Sequence, residues 1–187
     1  LQNEYPQLGG DYQVMHHFIK GIELNRHTYD LCDLEKDQFN PVMTIKDLGK
    51  YGMGGFTDKK IKDYQQQIMS ADFLIFFFPI WWIAPPARLK GWIDKVLLPK
   101  FAFTEGQIPQ PLLMHIQKAI FFTTTGVGDD VFQMEYGSAF RSIFGKGILQ
   151  FCGVQDVEWF NCGDVGFKSK EKHAEWLTFV QSFAEKM

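Results

Sequence analysis

Hydrophobic positions along the chain follow two periods in turn. Tyr12, Met15, Phe18, Ile19 and Ile22 recur three and four residues apart, which predicts a helix burying one face. Asn25-Arg26-His27 breaks that spacing. HTYDLCDL then alternates Tyr29, Leu31 and Asp33 against Cys32 and Leu34, predicting a strand over 28–34 followed by a polar loop to Asn40-Pro41. The loop continues through KYGMGGFT, and Thr57 is placed to cap a helix carrying Ile61, Tyr64 and Ile68 that ends near Ser70.

The next stretch, DFLIFFFPI, is apolar without alternation from Phe73 to Phe78. A strand apolar on both faces suits the centre of a parallel sheet, where helices cover it above and below. Pro79 ends the run. Pro86 fits the first turn of a helix, where a missing N–H costs nothing, and Leu89, Trp92, Ile93, Val96 and Leu97 form its buried stripe. After a loop with Pro99, Pro109 and Pro111, KAIFFTTTG repeats the design: a strand over 118–123 running into Thr124, Thr125 and Gly126. Phe140, Ile143, Phe144, Gly147 and Phe151 predict a further helix. VQDVEWF predicts a last strand, and Ala174, Leu177, Val180 and Ala184 a last helix. Strands alternating with helices imply a three-layer α/β domain with a parallel sheet, spanning residues 1–187 as one unit.

Composition narrows the chemistry. A length of 187 residues suits one domain, and 19 Phe make the core or a pocket unusually aromatic. A net charge of -3 supplies no basic field for nucleic acid. No apolar run reaches the roughly 18 residues of a membrane span, and the amino end does not read as a signal peptide, so the expected location is the cytoplasm. Cys32, Cys152 and Cys162 lack CxxC spacing and read as reduced thiols rather than a zinc site or a disulfide framework. His16-His17 and Asp129-Asp130 read as solvated surface, and no metal site is expected. Arg88, Lys90, Asp94 and Lys95 read as a solvated helix face.

Ligands of parallel α/β sheets sit beyond the carboxyl ends of the strands. PIWWI and TTTGVG occupy those places. A flavin asks such loops for a flat apolar surface and for backbone N–H groups facing the ring edge that gains negative charge on reduction. Trp81, Trp82 and Ile83 offer the surface and several amides, and Gly126 allows close backbone approach.

The stretch FPIWWIAPPARLKGWIDKVLLPKFAF, residues 78–103, resembles the signature of the flavodoxin-like NAD(P)H:quinone oxidoreductase family, whose bacterial members include ancillary subunits of potassium efflux systems. DLCDLEKDQFNPVMT, TTTGVG and FCGVQ extend the resemblance along the chain. It implies a flavodoxin-like fold with a five-stranded parallel sheet of order 2-1-3-4-5. It places Pro79, Ile80, Trp81, Trp82 and Ile83 against the flavin ring, with Thr124, Thr125, Gly126 and Val127 in the second flavin loop. Val127 stands where a second Gly is common. The resemblance further implies FMN, with FAD as the alternative, NADH or NADPH as hydride donor, a quinone-like acceptor served in ping-pong order, and a homodimer whose interface the Phe101–Phe103 loop approaches.

Two departures qualify the activity. Relatives carry a Tyr and then a His after the second loop as a proton relay. Here the first position is Phe132, and no His lies near the second, which leaves Tyr136 as the catalytic candidate able to donate a hydrogen bond. That loss sustains an alternative function, a flavin-binding regulatory or ancillary subunit with little turnover. Only four strands are expected, against five in the family. The missing one would precede the first helix, and the chain begins Leu1-Gln2-Asn3 without Met. The expectation is therefore that about ten residues precede the sequence, with LQNEYPQ as the tail of a phosphate loop and Asn3 or Tyr5 near the cofactor.

Overall fold

The computed structural model describes residues 10–187, so the expected positions of Asn3 and Tyr5 lie outside the described residues. Among the described residues, three parallel strands form one sheet in the order β1 (Phe73–Pro79), β2 (Lys118–Thr124), β3 (Asp156–Cys162). Alternation along β2 explains the layers. Ile120 and Phe122 face a cluster formed with α1 (Gly10–Leu24) and the carboxyl-terminal helix Lys170–Ala184, through Val14, Phe18, Ile22, Val180 and Ala184. Ala119 and Phe121 face the larger cluster under α3 (Lys60–Ser70), α4 (Ala87–Val96) and the helical stretch that begins at Asp129. Aromatic rings fill both faces, and on the first, Phe77, Phe122 and Phe160 stack across the three strands with centroids 5.6 and 5.4 Å apart. At Gly21 the two helices of the first face nearly touch, since a Cβ there would lie 2.5 Å from the Gln181 carbonyl oxygen.

Several expectations need correction. Residues 28–34 form no strand. A strand requires a partner for its backbone groups, and among the described residues none lies beside this segment, so Tyr29 and Leu31 stay exposed while Leu34 packs on the larger cluster. For the same reason β1, expected at the sheet centre, borders only β2 among the described residues, and the most buried strand is β2.

Thr57 does not cap α3, whose first turn follows Lys59 without a side-chain cap. Its hydroxyl donates instead to Asp47. The intervening loop contains a short helix, α2 (Ile45–Tyr51), started by a capping box in which Thr44 and Asp47 satisfy each other's backbone N–H groups.

Lys95 is not solvated. Its ammonium is buried, donates to the carbonyls of Asn40 and Val42 at 3.1 Å each, and lies 3.5 Å from the buried Asp47 carboxylate. Burial pushes the Asp47 carboxyl up, but hydrogen bonds from Thr57 and Thr44 and the Lys95 charge outweigh it and hold the group well below the usual carboxylate range.

The helix expected around residues 140–151 is present but wound differently. It runs on from Asp129–Phe132 through a π-helical turn, Gln133–Gly137, a short α-helical piece, Ser138–Phe140, and a second π-helical segment, Arg141–Gln150. With i to i+5 bonds the buried stripe moves to Phe140, Phe144, Gly145 and Leu149. Ile143 and Phe151, inward on an α-helical count, turn outward.

Candidate functional site

Sheet register sets where the site lies. Pro79 pairs with Thr124 at the carboxyl ends of β1 and β2, and the Ile80 N–H donates to the Thr124 carbonyl at 2.9 Å. The two chains therefore leave the sheet side by side, at the end where parallel sheets hold ligands.

The first loop is a tight turn. Trp81 N–H donates to the Ala84 carbonyl at 2.9 Å, and Ala84 N–H donates to the Trp81 carbonyl at 3.0 Å. Trp82 and Ile83 are left as the central pair, both at positive φ, 52° and 61°. This is a type I′ arrangement, for which Asn-Gly is the preferred sequence. An L side chain held there costs about 1–2 kcal/mol, and a β-branched residue is a marked outlier. Folding gains nothing from Trp82 in return, for it is 99% exposed, and its neighbour Trp81 is 62% exposed. Backbone strain that supports no packing is characteristic of functional loops. The N–H groups of Trp82 and Ile83 meet no acceptor among the described residues. Pro79 and Ile80 differ: Pro79 is half-buried and Ile80 buried, so they support the turn from below.

The second loop is tied down on one side only. Thr124 and Thr125 are buried, whereas Gly126 and Val127 are exposed. Thr125 N–H donates to the Cys162 carbonyl at 3.1 Å, and the Thr125 carbonyl accepts from Val165 N–H at 3.1 Å. The Val127 carbonyl accepts from Asp164 N–H at 3.2 Å and from the Thr125 hydroxyl at 2.8 Å. Gly126 and Val127 keep their own N–H groups without acceptors among the described residues. A Cβ on Gly126 would meet no heavy atom within 4 Å, so the glycine answers no crowding inside the protein. Together the loops offer exposed indole surface and backbone donors, which is what a planar ring with acceptor atoms on its edge requires.

Two groups flanking these loops escape sequence reasoning. Asp11, in the first turn of α1, accepts from the Thr124 hydroxyl at 3.1 Å. Burial pushes its carboxyl up to about 6, against the opposing pull of that hydrogen bond. Asn161, at the end of β3, joins Thr123, Thr125 and Asp129 in a buried polar cluster. Asp129, read as solvated, is thus half-buried and hydrogen-bonded. A signal for Asn161 did exist: a lone amide in the aromatic strand VEWFNC needs a polar partner.

Tyr136 lies in the first π-helical turn, exposed, with its ring 5.8 Å from that of Phe132. Phe132 is buried edge-on to Trp159. Phe101 and Phe103 are half-buried on the larger cluster. Among the described residues, no group of His, Cys, Asp and Glu is placed to hold a metal ion, and no helix is long and apolar enough to cross a membrane.

Comparison with known proteins agrees with this fold. A family model described as flavodoxin-like fold matches residues 6–185. The chain is 29% identical over 134 residues to an uncharacterized NAD(P)H oxidoreductase of Haemophilus influenzae, covering 71% of this chain and 66% of that protein. It is 29% identical over 188 residues to FMN-dependent NADH:quinone oxidoreductase 2 of Clostridium perfringens, covering 94% and 90%. The chain spans about half to two thirds of the length of several curated relatives it matches. Among solved structures, an NAD(P)H:quinone oxidoreductase from Methanothermobacter marburgensis superposes with a TM-score of 0.86 at 21% identity, covering 96% of this chain and 90% of that one, a likeness of fold.

Proposed function

The chain belongs to the flavodoxin-like fold family, and from that premise we propose that it is a flavin-dependent oxidoreductase acting between NADH or NADPH and a quinone-like acceptor. What supports the reading is the pairing of two loops at one end of the sheet, one carrying exposed indoles on a strained turn and both carrying backbone donors without acceptors among the described residues. The clostridial relative is named FMN-dependent, and FMN is the cofactor proposed here. When bound, FMN would supply the redox chemistry, a hydride's two electrons and one proton received from the nicotinamide and handed to the acceptor together with a second proton from solvent.

The chain's own residues have separable tasks. Trp81, Trp82 and Ile83 form the floor for the ring, raised by Pro79 and Ile80. The N–H groups of Trp82, Ile83, Gly126 and Val127, left without acceptors among the described residues, would stabilise negative charge developing on the ring edge, as an oxyanion hole does. Thr124 and Thr125 hold the second loop at its height above the sheet. One exposed ring face would serve donor and acceptor in turn, giving ping-pong order. Tyr136, exposed on the helix after that loop, is the proposed hydrogen-bond donor to the acceptor. The protein is proposed to work as a cytoplasmic homodimer of one domain per chain.

The buried phenyl of Phe132, at the position where the family resemblance implies a relay hydroxyl, favours one second reading: a flavin-binding regulatory or ancillary subunit with little turnover. One experiment tests both. A yellow protein, or one that turns yellow with FMN and oxidises NADPH with a simple benzoquinone well above free flavin, supports the enzyme. Flavin binding with turnover no faster than free FMN supports the subunit. No flavin absorbance after soaking with FMN and FAD refutes both.

A further inference from the structure

The buried cluster around Asn161 runs in one direction. Trp159 Nε1–H donates to Thr123 Oγ1 at 2.8 Å, and the Thr123 hydroxyl donates to Asn161 Oδ1 at 2.8 Å. Asn161 Nδ2 then donates to Thr125 Oγ1 at 2.8 Å and to Asp129 Oδ1 at 2.6 Å. Thr125, its oxygen already accepting, directs its own proton to the Val127 carbonyl at 2.8 Å. The amide orientation follows from chemistry. Turned over, Asn161 would set its oxygen 2.6 Å from a carboxylate oxygen, a repulsive contact. Asp129 therefore fixes the amide, the amide fixes the rotor of Thr125, and that rotor holds the Val127 carbonyl.

We propose that Asn161 is a positioning residue: by donating to Thr125 it turns the Thr125 hydroxyl onto the Val127 carbonyl and so holds the Gly126-Val127 backbone in its binding shape. The part of this inference that concerns flavin rests on the function proposed above. Removing the donor reverses the rotor. With a carboxylate at 161, the Thr125 hydroxyl turns back to donate to that charge, a stronger acceptor than a carbonyl, and Val127 is released. A polarity swap, Asn161→Asp with Asp129→Asn, restores a donor facing an acceptor between the two positions but leaves Thr125 turned the wrong way. Stability and loop shape are thereby separated, which a merely structural role for Asn161 would not allow.

The test compares the purified wild type with Asn161→Asp, the Asn161→Asp/Asp129→Asn swap, and Thr125→Val. Three readouts are used: thermal unfolding, FMN affinity by titration, and amide exchange at Asp164 measured without flavin, since that N–H donates to the Val127 carbonyl. Asn161→Asp is expected to lower the melting temperature, to raise Asp164 exchange at least tenfold and to weaken FMN at least tenfold. The swap should recover the melting temperature while exchange and FMN affinity stay impaired. Thr125→Val should show the same loop defects, and it carries the test if the single Asp variant does not fold. Unchanged Asp164 exchange in the swap and in Thr125→Val, or a swap that restores loop and melting temperature together, would overturn the proposal. Wild type that binds no flavin while the exchange results hold would overturn the flavin reading alone.

Discussion

Replacing Trp82 by Asn should make the protein more stable and a worse flavin binder. Trp82 sits at φ 52° in the two-residue turn, at a cost of about 1–2 kcal/mol for an ordinary L side chain. Asn tolerates that region far better because its short side chain bonds locally, and Asn is the preferred first residue of such a turn. Burial offsets none of the cost, since Trp82 is 99% exposed. The expected gain is therefore about 1 kcal/mol, or roughly 2–4 °C in Tm for a chain of this size. Against flavin the sign reverses. If the indole covers about 100 Å² of apolar ring, its loss costs about 2.5 kcal/mol at 25 cal/mol per Å², or on the order of 50-fold in Kd. Urea or thermal unfolding of the apoprotein measures the first effect, and quenching of FMN fluorescence on titration measures the second. A variant that melts lower than wild type would refute the stored strain, and one that binds FMN equally well would refute the role of Trp82 as floor.

Three further outcomes follow from named contacts. Because burial raises the Asp11 carboxyl from 3.8 to about 6, the folded state holds that proton more tightly than the unfolded chain. Stability should fall as pH rises from about 4 to 6 and level off above, by on the order of 2–3 kcal/mol; Asp11→Asn should flatten this slope and be the more stable form at pH 7, as read from urea unfolding at several pH values. Lys95→Met should cost about 3–5 kcal/mol in the same assay, because it leaves the buried Asp47 carboxylate without its cation. Gly21→Ala should destabilise by about 1–3 kcal/mol despite the better helix propensity of Ala, because the added carbon meets the backbone of the carboxyl-terminal helix at 2.5 Å; unchanged stability would mean that the two helices separate freely.

What the residues disclosed in advance depended on how local the cause was. The apolar run of β1 and the repeat of that design in β2 are local, and both strands form as expected. TIKD announces α2 as a capping box, but seven residues are too few for periodicity to register. Lys95 could not be read, because a lysine on a helix surface and one buried against Asp47 have the same sequence; only the partner, 48 positions away, decides. Residues 28–34 alternate as a strand does, yet alternation describes faces and says nothing of the neighbour that must supply hydrogen bonds. The shifted stripe of the second π-helical segment likewise has no signature in residue types.

The two site loops illustrate the remaining case, in which local rules are legible and are broken. A type I′ turn built by sequence preference alone would read Asn-Gly, and this one reads Trp-Ile. A rule broken without any gain in packing marks a place where another demand outweighs stability. Around Asn161 the opposite holds, for each donor and acceptor of its amide is matched and the order of matching leads to the second loop. Strain is thus concentrated in the loop proposed to carry the ring surface, and matched side-chain contacts stand behind the loop whose proposed contribution is amides alone. That division is mechanically sensible. A stacking surface tolerates small displacements because dispersion falls off gradually over a wide contact, whereas an N–H aimed at developing charge loses most of its value when displaced by about 1 Å.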